Sequence, residues 1–352
     1  MIRRLLPAFL LLAAVTACLV YFSLAASYQG FSNQVILDFP KGTSTQGMAD
    51  ELAEAGVIRF AWQFLLLRAL RPTARLEAGE YLFSHADTPR NIFSRIARGD
   101  VFFYELVVPE GSNMFDIATS LARFDFLKPA DFLNAARKPA LIHDLAPHAP
   151  TLEGYLFPST YRITRATTEQ QLCVMMTAQF RKHWRDLEGS RPPDASVNDT
   201  VTLASMVEKE TAVPDERRIV ASVYDNRLRK GMTLDCDPTT IYAALLQDRY
   251  RGAIYRSDLN SDSAYNTYRH AGLPPGPIAN PGLASLKAAL TPAETDYFYF
   301  VAKADGSGGH HFSRTIEEHN LAVQKYRRAT SRQPDPPTAP PPSRHGSKRT
   351  KR

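Results

Sequence analysis

Two glutamates separated by one lysine, Glu208 and Glu210, are the residues of this chain whose type and spacing best suit proton-transfer chemistry. They stand near the end of the segment LASMVEKET, whose apolar spacing predicts a helix over about residues 200–212. Asn198 or Asp199 is expected to cap this helix, because a short polar side chain can accept from the free N–H groups of the first turn. The segment therefore presents two carboxylates on one helix.

The two carboxylates fall on different faces of that helix, since successive residues are rotated by about 100°. Glu208 shares its face with small residues such as Ala204 and Ser205, which predicts a shallow surface that another molecule can approach. Glu210 shares its face with large apolar residues of the kind that form a core. A carboxylate shielded from water favours its neutral form and can act as a general acid. Solvated helix charges are the more common explanation of such a run, so the rest of the chain must decide.

The N-terminal segment has the composition of a membrane span. Leu5 to Ala26 contain no charge over 22 positions, after Arg3 and Arg4, and this length suffices to cross a hydrocarbon core of about 30 Å. The positive-inside rule then predicts an uncleaved anchor in residues 1–28, with the remainder outside the cytoplasm. A cleaved signal peptide is the alternative, because VTAC, ending at Cys18, has the form of a lipoprotein cleavage site.

Charge and cysteine content exclude some classes of partner. Lys and Arg number 42 against 36 Asp and Glu, for a net charge of +6, but much of this excess lies at the two ends. The middle of the chain has no basic stripe with interleaved aromatic residues, so no nucleic-acid partner is expected. Cys18, Cys173 and Cys236 do not have the spacing of a metal site. The sequence neither requires nor excludes a disulfide between Cys173 and Cys236.

A strand-turn-helix pattern occurs twice, at a constant offset of 69 residues. Each copy has an alternating strand, at 35–39 and 103–108, followed by a Pro-x-Gly turn and an apolar-periodic helix. Thr43 and Ser112, which follow the two turn glycines, are expected to cap the helices. Units of this kind resemble LysM-type modules, which bind N-acetylated glycans. A repeated packing unit without a ligand is the alternative.

These patterns divide the chain into four parts. After the anchor, residues 29–108 predict a small α+β unit, and residues 109–330 predict a mainly helical domain with long ordered loops. Residues 331–352 are rich in proline and end in a basic cluster, a composition typical of a disordered tail.

Six short blocks in the helical domain carry polar side chains, and several of them add glycine, proline or aromatic residues. Proline fixes φ and glycine permits sharp turns, so GLPPGPI predicts a stiff irregular wall. LEGYLFPSTY combines a glycine, a proline and three aromatic residues, which predicts a loop that lines a substrate site. Each block alone is ordinary loop chemistry. The blocks are LEGYLFPSTY (152–161), NRL (226–228), LDCDPT (234–239), YNTY (265–268), GLPPGPI (272–278) and GHHF (309–312).

With these blocks in this order around ASMVEKET, the chain resembles the YceG-like (MltG) family of membrane-anchored endolytic murein transglycosylases, up to about residue 326. The resemblance implies an α+β fold with an N-terminal transmembrane helix, a LysM-like subdomain and a mainly helical catalytic domain. Cys236 and Ser159 depart from the family pattern as local variation. The proline-rich tail is not explained by it.

The resemblance also implies a reaction. Such enzymes cleave the β-1,4 bond between N-acetylmuramic acid and N-acetylglucosamine of nascent strands without water, which leaves a 1,6-anhydromuramic end and terminates elongation. No cofactor or metal is implied. Peptidoglycan strands, the inner membrane and peptidoglycan synthases are the implied partners, with the catalytic domain in the periplasm.

The family pattern places the catalytic acid at Glu208, the first glutamate after Ala-Ser-x-Val. It would protonate the glycosidic oxygen and then, as a carboxylate, remove the proton of the C6 hydroxyl, so no second carboxylate nucleophile is required. Tyrosine faces can stack on sugar rings and amides can pair with N-acetyl groups. Substrate-binding or supporting roles are expected for Glu210, Glu153, Tyr155, Asn226, Asp237, Thr239, Tyr265, Asn266, Tyr268 and His311.

Three other functions compete with this one. A non-catalytic glycan-binding scaffold of the cell-wall synthesis machinery would use the anchor and the two LysM-like copies. A pyridoxal-phosphate lyase would need a Schiff-base lysine in a large α/β domain, and no alternating strand-helix series is present. A hydrolase that uses water would leave ends that are heavier by one water than anhydro ends.

Overall fold

The computed structural model describes residues 2–187, 189 and 195–331, so the proline-rich tail from residue 332 onward lies outside the described residues. The fold is α+β, as the sequence predicts, with many helices and three two-stranded antiparallel sheets among the described residues. The chain divides into two compact units. The first unit is Met1–Val108, Ser120–Asp131 and Ser159–Leu172, and the second unit is Pro109–Thr119, Phe132–Pro158 and the residues from Cys173 onward.

The first unit combines helices and four strands. Strand β1 pairs with β2, with Val35 opposite Phe83, and β3 pairs with β4, with Tyr104 opposite Ile163. Large apolar side chains such as Phe64 fill a core between the first sheet and its helices. The elements are α1 (Ile2–Ala25), β1 (Val35–Phe39), α2 (Thr45–Glu54), α3 (Ala61–Leu70), β2 (Gly79–Phe83), α4 (Pro89–Arg98), β3 (Tyr104–Val108) and β4 (Ser159–Ile163).

Among the residues that the structure describes, no helix combines the length and the apolar character needed to cross a membrane.

The last turn of α1 belongs to the core of the first unit. Leu24 is 3% exposed and lies in that core, and the Gln63 amide donates to the Ser23 carbonyl at 2.9 Å. The segment that follows α1 is also held, because the Tyr28 N–H donates to the Asp87 carbonyl at 3.0 Å. The end of α1 is therefore fixed to the first unit by packing and by hydrogen bonds.

The second unit contains, wholly or mainly, the other helices and a hairpin. In the hairpin, Tyr299 of β5 lies opposite Ser313 of β6. The elements are α5 (Met114–Leu121), α6 (Pro129–Ala136), α7 (Glu169–Leu187), α8 (Val197–Glu210), α9 (Arg217–Arg229), α10 (Asp237–Leu246), α11 (Arg256–Leu259), α12 (Leu283–Leu290), β5 (Tyr299–Ala302), β6 (His310–Ser313) and α13 (Ile316–Thr330).

Both predicted strand-turn-helix copies are present, as β1 with α2 and as β3 with α5. Their helix caps were predicted one residue too early. Ser44 Oγ accepts a backbone N–H of α2 at 3.0 Å, because the hydroxyl of Thr43 is already bonded to the Pro40 carbonyl within the turn at 2.7 Å. Likewise Asn113, and not Ser112, accepts from the first turn of α5 at 2.9 Å.

Helix α8 is confirmed, although its cap is Ser196, whose Oγ accepts the Asp199 N–H at 3.3 Å. Both of its faces are buried along most of its length. Met206 and Val207 lie in an apolar core shared with α9, while Ser205 is 0% exposed and accepts the Ile278 N–H at 3.0 Å. The predicted shallow surface above the small residues was therefore wrong, because the chain's own loop before α12 covers it.

A single buried amide joins the segments that surround α8. Asn280 Oδ1 accepts the N–H groups of Gly154 and Leu156 at 2.8 and 2.9 Å. Its Nδ2 donates to the Ser112 carbonyl at 2.9 Å and to Glu153 Oε1 at 2.8 Å. Buried amides that satisfy all their hydrogen bonds fix a unique backbone arrangement. Asn280 thus locks the LEGYLFP block to the turn before α5.

Candidate active site

A cleft of about 350 Å³ opens beside the last residue of α8, within the second unit. Glu210 forms part of its wall. The cleft is lined by polar, charged and aromatic side chains from α9, α10, α13, β5 and the loops between them. These side chains include Arg227, Asp235, Asp237, Tyr268, Tyr299 and His319.

The carboxyl group of Glu210 is held through one of its oxygens. Oε1 accepts the hydroxyl of Tyr224 at 3.0 Å and the thiol of Cys236 at 3.1 Å. Burial raises the pKa of Glu210, the two hydrogen bonds oppose this shift, and the negative charge of Asp237 adds to it. The net effect favours a protonated carboxyl group beside the cleft, as a general acid requires.

Tyr268 and Asp237 form a hydrogen-bonded pair in the lining of the cleft. The Tyr268 side chain is 38% exposed, and its hydroxyl donates to Asp237 Oδ1 at 2.7 Å. Burial and the neighbouring Asp237 raise the pKa of the phenol, so it remains a donor. An exposed aromatic ring whose hydroxyl is fixed presents a stable face on which a sugar ring can stack.

The buried side chain of Arg227 also lines the cleft and binds other residues of its wall. Arg227 donates from Nε to the Phe298 carbonyl at 2.6 Å and from Nη1 to Asp235 Oδ2 at 3.0 Å. Burial and the charge of Arg227 lower the pKa of His319, which favours its neutral imidazole. No motif in the sequence points to His319 or Tyr299, because a lone histidine on a helix and a tyrosine in a strand are ordinary residues.

Glu208 lies in a different environment. Its side chain is 7% exposed, and its Oε1 is 3.9 Å from Nη2 of Arg217. Oε2 accepts the N–H of Gly282, which directly precedes α12, at 3.0 Å. The carboxylate therefore satisfies a backbone donor at the start of α12 and faces a cation, so its contacts tie α8 to α12.

Glu153 and Tyr155 are buried and do not line the cleft. Glu153 is 1% exposed and accepts the Met114 N–H at 2.9 Å as well as the Asn280 amide. Burial raises its pKa to about 8. Tyr155 is fully buried, and its hydroxyl donates to Asn198 Oδ1 at 3.3 Å. Both side chains therefore hold loops in place.

Three other predicted residues are buried and bonded to backbone carbonyls. Asn226 donates to two carbonyls at 2.9 Å each, and Asn266 donates to two at 2.9 and 2.7 Å. Thr239 donates to the Cys236 carbonyl at 2.7 Å. Asn266 is 0% exposed, so its amide is engaged within the protein, and its contact with an N-acetyl group stays a prediction. These side chains shape the loops around the cleft.

The last two predicted residues, Tyr265 and His311, do not line this cleft. The ring of Tyr265 packs against Tyr242, with centroids 5.1 Å apart. His311 is exposed in a separate groove between the hairpin and α13. Of the predicted residues, the structure therefore brings Glu210, Asp237 and Tyr268 together in one cleft. Cys173 and Cys236 are both buried, and no disulfide joins them.

Comparison with protein families gives a match over most of the chain. The profile of the YceG-like family matches residues 37–325. A protein of Bacillus subtilis (strain 168) named endolytic murein transglycosylase is 31% identical over 309 residues, which cover 83% of this chain and 84% of that protein. A protein of the same name from Streptococcus pneumoniae serotype 2 (strain D39) is 27% identical over 359 residues, and the chain covers 65% of its length.

A solved structure has a similar fold. The crystal structure of a putative yceG-like protein from Listeria monocytogenes superimposes with a TM-score of 0.54 at 33% sequence identity. The alignment covers 82% of this chain and 99% of that protein.

Proposed function

This chain belongs to the YceG-like family, and we propose that it is an endolytic murein transglycosylase whose general acid is Glu210. The relatives that bear this name support the activity. The observation that carries the proposal is the position of the Glu210 carboxyl group beside a polar and aromatic cleft, where burial raises its pKa. Asp237 and Tyr268 in that cleft supply the negative charge and the aromatic face that a glycan substrate needs.

The choice of Glu210 replaces the assignment to Glu208 that the family pattern suggested. Glu208 accepts the Gly282 N–H at the start of α12 and lies 3.9 Å from Arg217, and it does not line the cleft beside Glu210. The loop before α12 also covers its helix face, since Ser205 is bonded to Ile278. We therefore assign Glu208 to the packing of α8 against α12, and a pair of matched variants decides between the two assignments.

The proposed reaction uses one acid in two steps. Glu210 donates its proton to the glycosidic oxygen, and the bond from that oxygen to C1 of the muramic residue breaks. Positive charge then develops at C1, and the carboxylate of Asp237 is placed in the cleft to stabilise it. The C6 hydroxyl oxygen bonds to C1, and the ionised Glu210 accepts its proton. All atoms of the substrate are retained, so the two products together have the mass of the substrate.

Product analysis tests the activity. Purified murein sacculi incubated with the full-length chain in detergent are expected to yield muropeptides with 1,6-anhydromuramic ends, each lighter by one water than a hydrolysed end. Mass spectrometry distinguishes the two. Reducing ends would indicate a hydrolase, and binding without cleavage would indicate the non-catalytic scaffold.

The position of the cut is a separate prediction. On long, uncrosslinked, end-labelled glycan, an endolytic enzyme should produce intermediate lengths early in the reaction. Gel or chromatographic sizing over time records this. Steady release of disaccharides from one end, with slow shortening of the polymer, would contradict an internal cut.

We also propose that residues 5–26 anchor the protein in the inner membrane and that the first unit is LysM-like and lies at the periplasmic face. The uncharged run after Arg3 and Arg4 supports the anchor, and the burial of Leu24 in the first unit supports a short distance from the membrane. Such a position suits contact with newly polymerised strands and their synthases.

A topology reporter tests the anchor. An enzyme that is active only in the periplasm, fused after residue 326, should be active, whereas a reporter that is active only in the cytoplasm should be silent at that position. The reverse pattern would contradict the topology. Release of a mature N-terminus at Cys18 would indicate a lipoprotein.

A further inference from the structure

Cys236 lies directly beside the proposed acid, with its Sγ within hydrogen-bond distance of the Glu210 carboxyl group. It precedes α10 and is 1% exposed. Its N–H donates to Thr267 Oγ1 at 3.1 Å, and its carbonyl accepts the hydroxyl of Thr239 at 2.7 Å. The two threonine hydroxyls are themselves 2.9 Å apart. The backbone of Cys236 is therefore fixed on both sides, which determines the direction of its side chain.

That direction is toward the carboxyl group of Glu210. Sγ of Cys236 is 3.1 Å from Oε1, the same oxygen that accepts the Tyr224 hydroxyl at 3.0 Å. Two donors on one oxygen restrict rotation of the carboxyl group. They also leave Oε2 as the oxygen that is not engaged by this pair.

We propose that Cys236 is a positioning residue for the acid Glu210, whose thiol holds Oε1 together with Tyr224 so that Oε2 carries the transferred proton. This inference rests on the proposed function. The thiol acts as a donor throughout, since burial raises the pKa of Cys236 well above its usual value and the neighbouring Glu210 adds to the shift. A positioning residue of this kind acts at both steps, because the same two donors stabilise the carboxylate that forms after the first transfer.

Removal of the thiol has a directional consequence for the pH profile. A hydrogen bond to the charged form lowers the pKa of a carboxyl group, and the Cys236 thiol has this effect on Glu210. In Cys236→Ala the pKa of Glu210 should therefore rise, so the acid should stay protonated to a higher pH. The alkaline limb of kcat/KM for anhydro-end formation should shift upward in pH. At the wild-type optimum kcat should fall by about 5- to 10-fold, the usual effect of losing one hydrogen bond.

Two variants of the full-length chain serve as controls. Cys236→Ser keeps a donor on Glu210 and should restore kcat and the position of the alkaline limb. Cys173→Ala removes another buried cysteine of the second unit, on α7, and should change neither kcat nor the limb. KM should be similar in all four proteins, because the thiol does not face the substrate. Thermal melting confirms that each variant is folded.

The outcomes separate this inference from the proposed function. Equal kcat values and pH limbs for Cys236→Ala and Cys173→Ala would overturn the positioning role, as would a failure of Cys236→Ser to restore what Cys236→Ala loses. Carbon-13 NMR titration of the Glu210 carboxyl group, with its signal assigned by comparison with Glu210→Gln, measures the effect of the thiol on the pKa of Glu210 independently of catalytic activity. If the wild-type protein forms no anhydro ends, the proposed function is wrong. If the Glu210 pKa is the same in Cys236→Ala as in wild type, the thiol does not influence the Glu210 carboxyl group and the positioning role is wrong.

Discussion

Glu210→Gln is expected to reduce the formation of anhydro ends by about 10²–10⁴-fold, the usual contribution of one general acid. The amide keeps the shape of the side chain and can still accept the Tyr224 hydroxyl and the Cys236 thiol through its oxygen. It has no proton of suitable acidity to give to the glycosidic oxygen. It also cannot accept the proton of the C6 hydroxyl as a carboxylate does, so both chemical steps are impaired.

Glu208→Gln is the matched control, since it makes the same change two residues away on the same helix. Its oxygen can still accept the Gly282 N–H, while the attraction to Arg217 and the repulsion of Glu110 are lost. We expect it to retain most of the activity, with a small loss of thermal stability. Both variants should bind glycan and melt cooperatively. An active Glu210→Gln with an inactive, folded Glu208→Gln would return the catalytic role to Glu208.

The sequence predicted the elements of the fold better than the surfaces between them. The repeated strand-turn-helix copies and α8 follow from local periodicity, which the neighbouring residues alone determine. The error concerned the face of α8 that carries Ser205. A helical pattern shows which residues share a face, but what covers that face depends on contacts such as the one from Ile278, 73 residues later. The small residues on this face of α8 allow the loop that contains Ile278 to pack closely against the helix.

The roles of single side chains around the cleft were also only partly predictable from the sequence. Asp237 and Tyr268 stand in recognisable blocks and line the cleft, but Asn266 stands in such a block too and is fully buried. An amide that supports a loop and one that contacts a ligand have the same appearance in a sequence. Cys236 was interpreted as local variation, because its distance from Glu210 becomes known only when α8 and α10 are placed in three dimensions.

Gly154→Ala is expected to cause a large loss of stability, because the LEGYLFP block packs closely against two other segments at this glycine. Gly154 has a φ of +88°, and a Cβ at this position would lie 2.5 Å from Cβ of Pro277 and 2.8 Å from Cγ1 of Val201. The left-handed backbone costs an L-residue about 1–2 kcal/mol, and overpacking adds about 1–3 kcal/mol. The free energy of unfolding should therefore fall by roughly 2–5 kcal/mol.

Gly231→Ala separates the two contributions. Gly231 also has a positive φ, +67°, but a Cβ there would meet nothing within 4 Å, so this variant should lose only the backbone contribution of about 1–2 kcal/mol. Urea denaturation of both full-length variants and wild type in the same detergent measures the difference. Val201 lies on α8, so movement forced at Gly154 should reach Glu210 and lower kcat in Gly154→Ala, while Gly231→Ala keeps wild-type kcat. Equal free energies of unfolding for the two variants would show that Pro277 and Val201 can move to accommodate the new Cβ without loss of stability. The LEGYLFP block would then not fix the position of α8, the helix that carries Glu210.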